Sequence, residues 1–323
     1  MGRVPPLWGV WLEPRAWQEA FEPAVAALVV VAAVAYAVGV IRQRRFMTGT
    51  AGHHPGGADP RREADVPVVA TPARQLLFYG GLAIVAFALM SPLDVLAQWL
   101  FSAHMIQHLL LLVGAPPLLV ASAPLDPLRR ALPERLCTLL VTGAAPLAKF
   151  ALPRSIARLV MSPWGATIVF AGTTWFWHAP GPYDLTLSNL YVHALEHAMF
   201  LAAGLLWWSR IISCPPLHAP LSTATAAMPA TMVFLSAAVA QNVILAMVIG
   251  FAAHPLYGPY VALVDRPGGL SALADQELGA SFMWTIGDLP FSIALARLVY
   301  LWMSSLEEEE GVLAGHAAND VQP

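Results

Sequence analysis

From Ala24 to Ile41 the chain reads AVAALVVVAAVAYAVGVI, a stretch without a single charge. A helix of about 20 apolar residues crosses a hydrocarbon core roughly 30 Å thick. In lipid every backbone N–H and C=O must be bonded within the protein, so the helix is the fold open to such a segment. Hydropathy, punctuated by Gly and Pro, predicts further segments of this kind, with spans near 21–41, 73–91, 95–120, 160–178, 189–209, 227–251 and 277–303. The expected fold is all-α, a polytopic transmembrane bundle of about seven spans. Composition agrees, because charged residues make up 11% of the chain against about 25% in soluble domains.

The bundle is expected to occupy 21–306, between an extracytoplasmic segment, 1–20, and an acidic cytoplasmic tail, 307–323. The connection 42–72 is rich in Gly, Pro and Arg and reads as a flexible cytoplasmic loop in which His53 and His54 are incidental. Residues 123–159 carry an apolar run too short to span, between Arg-rich ends, and read as interfacial or re-entrant. Of the 17 Lys and Arg residues, all except Arg3, Arg15 and Arg266 fall beside the connections after the odd-numbered spans. That bias places those connections in the cytoplasm, the N-terminus outside and the C-terminus inside. The first twenty residues lack the apolar core and cleavage site of a signal peptide and are expected to be retained. Cys137 and Cys214 form no C-x-x-C motif, so neither a disulfide framework nor a thiolate metal site is suggested. No nucleophile elbow, phosphate-binding loop or dinucleotide fingerprint occurs, and nothing supports nucleic-acid binding.

Two histidine couplets stand out against this apolar background, His104 with His108 in HMIQHLLLL and His193 with His197 in HALEHAMF. Spacing of i,i+4 puts each pair on one helix face. An imidazole in hydrocarbon is costly without a partner, and imidazole is a common metal ligand. His104 lies about nine residues into its expected span, roughly 13 Å at 1.5 Å per residue. His178 and His254 fall at the same outer side, as surface capture ligands on a route to the couplets. Glu196, beside His197 and a turn from His193, could orient a ring, accept a proton or bind metal directly. Gln107 is a candidate outer support for a ligating ring. Asp288, between Gly287 and Pro290 in a predicted kink, is an intramembrane carboxylate and so a candidate ligand. Met105 and Met283, with Met199 and Met247, offer thioethers that favour Cu(I), although each singly reads as core. Gln241 and Asn242 read as bridges between helices. Trp175, Trp177, Trp207, Trp208 and Trp302 fit interfacial belts.

Three runs, HMIQHLLLLVGAPPLLVASAP, HALEHAMFLAAGLLWW and LYGPYVALVDRPGGLSALADQELGASFMWTIGD, resemble the CtaG family of cytochrome c oxidase assembly factors, multi-pass membrane proteins associated with caa-type oxidases. The resemblance covers roughly 73–303. It implies a non-enzymatic assembly factor of the bacterial inner membrane that helps mature a haem-copper oxidase, with copper as the ion supplied to the copper centre of the catalytic subunit. The implied partners are that subunit, extracytoplasmic copper donors and membrane lipid; homodimerisation is left open. The family's histidine motifs correspond to His104, His108, His193 and His197, and its Asp-Gln pair to Asp275 and Gln276. Two other readings stay open: a metal-free scaffold for the oxidase subunit, and a membrane cytochrome with haem held between imidazoles of different helices.

Overall fold

The computed structural model describes residues 7–50, 69–133, 154–212, 221–263 and 265–319. Among them there are helices and no strand. In chain order the helices are α1 Leu7–Leu12, α2 Pro14–Glu19, α3 Pro23–Thr50, α4 Pro72–Met90, α5 Pro92–Ala97, α6 Phe101–Ala121, α7 Leu125–Ala131 and α8 Arg154–Val160. They continue with α9 Pro163–His178, α10 Pro180–Ser188, α11 Leu190–Ile212, α12 Leu221–Gly250, α13 Gly258–Ala262, α14 Ala272–Thr285 and α15 Leu289–Asn319.

Many of these starts are written in the same local code. Thr71-Pro72, Ser91-Pro92 and Ser162-Pro163 each place a hydroxyl at the cap, where it accepts from a backbone N–H of the first turn. Proline follows at a position whose missing N–H costs nothing. Six helical stretches of the described residues are long and apolar enough to cross a membrane, in α3, α4, α6, α11, α12 and the α14–α15 pair. The chain is thus a helical membrane bundle. The span expected at 160–178 is α9, only 16 residues long, about 24 Å of helix; it packs against α11 and α12 and leaves Trp164, Ile168 and Phe176 exposed.

Several boundaries differ from expectation. The loop 42–72 begins late, because α3 stays helical through Thr50; residues 51–68, with His53 and His54, lie outside the described residues, as do Cys137, Cys214 and most of 123–159. The span expected from 95 is divided. Helix α5 ends at Ala97, a turn follows, and α6 starts at Phe101, so His104 stands about 5 Å inside its helix rather than 13 Å. The acidic tail is helical as far as Asn319. The break expected near Gly287 is present, separating α14 from α15. A Cβ on Gly287 would come within 2.2 Å of the Met283 carbonyl.

Helix α6 contains a π turn, Leu110–Gly114, just after His108. Pro116 and Pro117 follow it and have no N–H to return to the carbonyls a turn earlier, which the wider turn accommodates. The Leu112 carbonyl then faces α11 at Gly204, where a Cβ would lie 2.6 Å from that oxygen and 2.7 Å from Pro116 Cγ. Small residues at such crossings let helix backbones approach in a membrane. Gly204→Val is expected to destabilise the bundle by roughly 1–3 kcal/mol through overpacking; thermal unfolding in detergent reads this directly, and an unshifted melt would show that the crossing yields at no cost.

The main core lies among α4, α6, α9, α11, α12 and α15 around Phe170, Trp207, Leu235 and Phe291. Three of the expected belt residues belong to it: Trp177, Trp207 and Trp208 are buried. Trp208 stacks on Phe291 at 5.6 Å between ring centroids, and Trp207 Nε1 donates to Thr167 Oγ1. Gln241 and Asn242 do join helices, Gln241 accepting from Trp175 Nε1 and Asn242 donating to the Met283 carbonyl.

Candidate metal centre

Both couplets sit near the starts of their helices, on α6 and α11, and the packing of these helices turns them toward one another. Ring centroids of His104 and His193 are 5.1 Å apart, and those of His108 and His197 are 5.8 Å apart. Glu196 lies between the couplets with no exposed surface. Its Oε2 is 3.3 Å from His104 Nε2 and its Oε1 3.4 Å from His108 Nε2. One donor atom from each of His104, His108, Glu196 and His197 falls within 4.8 Å of all the others, and all four side chains are buried.

Two tyrosines reach His104 on the side away from Glu196. Tyr260 Oη donates to the Ala97 carbonyl at 2.5 Å, Tyr183 Oη lies 3.3 Å from Tyr260 Oη, and His104 Nδ1 lies 3.0 Å from Tyr183 Oη. With the Tyr260 proton committed to a carbonyl, a polar chain joins His104 Nδ1 through Tyr183 and Tyr260 to Ala97. The other ring nitrogen, Nε2, faces the Glu196 carboxylate. His108 Nε2 faces the other oxygen of the same carboxylate, and His197 Nε2 has no hydrogen-bond partner among the described residues. These buried nitrogen and carboxylate donors converge closely enough that they could hold a metal ion.

The other expected residues divide into near and far. His178 is buried beside the cluster, not at the surface as a capture ligand, with its ring 5.5 Å from that of His108. Its Nδ1 donates to the Thr174 carbonyl at 2.6 Å, and its Nε2 faces Met105 Sδ at 3.3 Å. Met283 is buried in the adjoining cluster of Met105, Tyr183, Tyr257 and Tyr260. Gln107 does not support an imidazole: its Nε2 donates to the Ala88 carbonyl and to Asp94 Oδ1. Asp288 joins neither group of metal-competent side chains. Its Oδ1 accepts from Asn242 Nδ2 at 2.9 Å, because the turn at 286–288 directs it to α12. His254 is exposed beyond the end of α12 and outside both groups.

Sequence reading missed Asp94, Tyr183 and Tyr260. Asp94, in the short helix between α4 and α6, forms a second group with His193 and His197. Burial raises its carboxyl above the ordinary range, with the Gln107 bond acting against that. The one signal for it was a lone aspartate in SPLDVLAQWL, at the edge of an apolar run. Asp275 secures the start of α6 from α14: Oδ2 accepts from Phe101 N at 2.6 Å, and Oδ1 from Ser102 N and Ser102 Oγ at 3.2 and 2.5 Å. Its neighbour Gln276 donates to the Ile249 carbonyl and accepts from Leu256 N.

A multi-span helical bundle with a buried His/Glu centre between two of its helices defines the class to which this chain belongs. The family model for the cytochrome c oxidase caa3 assembly factor (Caa3_CtaG) matches residues 34–305, and the chain belongs to that family. An uncharacterized protein of Mycobacterium bovis and another of Mycobacterium tuberculosis are each 23% identical to it over 288 residues, 87% of this chain and 39% of theirs. The chain thus spans about two fifths of the length of these relatives. No solved structure matches it.

Proposed function

We propose that this chain is an oxidase assembly factor of the bacterial inner membrane that binds copper between α6 and α11. In this reading it supplies the ion, from the extracytoplasmic side, to the catalytic subunit of a haem-copper oxidase. The observation that carries the proposal is the convergence of buried donor atoms of His104, His108, His197 and Glu196 within 4.8 Å of one another. Imidazole nitrogens suit copper as they do zinc, iron and nickel, and the adjacent Met105–His178 pair adds a soft sulfur that favours the cuprous state. The orientation supports the same side of delivery, since the arginine-poor face of the bundle is the extracytoplasmic one by charge bias. The role is one of binding and transfer, without catalysis.

Haem fits this arrangement less well. Axial ligation needs two imidazoles on opposite sides of a macrocycle, whereas the rings of His104 and His193 on facing helices are only 5.1 Å apart between centroids, and the Glu196 carboxylate lies against His104 and His108.

His104→Ala and His197→Ala, each at wild-type level of this protein by immunoblot, are expected to reduce assembled oxidase activity in membranes at least fivefold. Normal oxidase activity in both strains would remove the cluster from the function and leave a metal-free scaffold.

A further inference from the structure

Asp94, His193 and His197 also bring three donor atoms within 4.8 Å of one another, and His197 belongs both to this group and to the buried four. Exposure falls steadily along the series. Asp94 is partly exposed, His193 and His197 are 9% and 7% exposed, His108 is 3%, and His104 and Glu196 are 0%. Asp94 lies on α5, outside the spans, where α1 and α2 pack over the helix through Val10 and Ala16 against Leu93 and Leu96. Gln107, from the same helix as the inner histidines, holds one oxygen of Asp94 at 2.8 Å.

We propose that Asp94, His193 and His197 form an outer loading position for the ion, distinct from the buried four. The ion passes inward by exchanging Asp94 and His193 for His104, His108 and Glu196 while His197 stays bound. No charge or electron changes hands in this step; one carboxylate and one imidazole leave the ion as another carboxylate and two imidazoles take it. A shared ligand keeps the ion coordinated throughout, which lowers the barrier that full release inside a low-dielectric bundle would impose. Because His197 serves both positions, the chain holds one ion at a time. The inference rests on the copper-binding reading above and adds the route by which the inner position fills.

The test is the rate and the equilibrium of loading on the full chain in detergent, with Cu(I) presented as its complex with a coloured bathocuproine chelator. Wild type is expected to withdraw one copper per chain. Asp94→Asn keeps the Gln107 bond and is expected to hold the same single copper with an affinity within about threefold, but to load at least tenfold more slowly. Asp94→Glu is expected to restore the rate, and the thermal melt of each variant checks its fold. Loading of Asp94→Asn at the wild-type rate would overturn the outer position while leaving the buried site intact. So would loss of copper at equilibrium from Asp94→Asn, since Asp94 would then belong to the retaining site. A wild type that takes no copper at all would overturn the copper-binding reading and this route with it.

Discussion

Glu196→Gln is expected to weaken copper retention about a hundredfold, roughly 3 kcal/mol, with the fold kept. Glutamine matches the shape of the acid and removes its charge. Glu196 is fully buried and lies 3.3–3.4 Å from two imidazole nitrogens, so its charge acts where little solvent screens it. Against a cation the substitution removes the only carboxylate of the inner four. Competition titration with a Cu(I) chelator measures the loss, and retention within threefold of wild type would show that the ion does not sit against this carboxylate. A metal-free scaffold predicts a different pattern: the amide would simply hydrogen-bond the histidines, and oxidase assembly would survive.

Asp275→Ala is expected to destabilise the protein by about 2–4 kcal/mol. Its carboxylate accepts three hydrogen bonds from the first two residues of α6. Bonds to a charged group contribute roughly 1.5–3 kcal/mol each, and unpaired buried donors are costly. The bonds do not add in full, because two share one oxygen. The same substitution reaches the metal centre, since His104 is only two residues beyond Ser102 and the start of α6 sets its height against Glu196. Thermal unfolding in detergent and copper titration are therefore expected to shift together. Asp275→Asn, which keeps acceptor capacity at one oxygen, is expected to fall between. An unchanged melt for Asp275→Ala would mean that α6 is positioned from its other contacts.

Period and hydropathy made the helical bundle legible, because lipid leaves the backbone one way to satisfy itself over such long apolar runs. The i,i+4 spacing likewise made each couplet legible as one face. What the sequence does not carry is which faces meet. Glu196 was visible as a neighbour of His197, but its central place between the couplets depends on the close crossing of α6 and α11, which Gly204 and the proline-driven π turn permit. Asp288 has the same intramembrane cost as Glu196 and the same claim on a ligand role. The turn after α14 gives it to Asn242 instead. Asp94 was hidden for the opposite reason, since a single acid at the edge of a span reads as a solvated end. Tyr183 and Tyr260 reach His104 from separate short helices, α10 and α13, and no local pattern announces such a relay. The buried tryptophans show the same limit: Trp207 and Trp208 stand near a span end, as belt residues do, yet α9 and α15 cover them.

The most direct test of the central claim is the metal content of the detergent-purified chain, by elemental analysis with an absorption spectrum. It compares wild type with a variant in which His104, His108, His193 and His197 are all alanine. Copper near one per chain in wild type, absent from the variant, and no Soret band in either is the predicted result. A wild type free of metal that also refuses added Cu(I) would contradict it and leave the histidines as hydrogen-bonding partners within a scaffold.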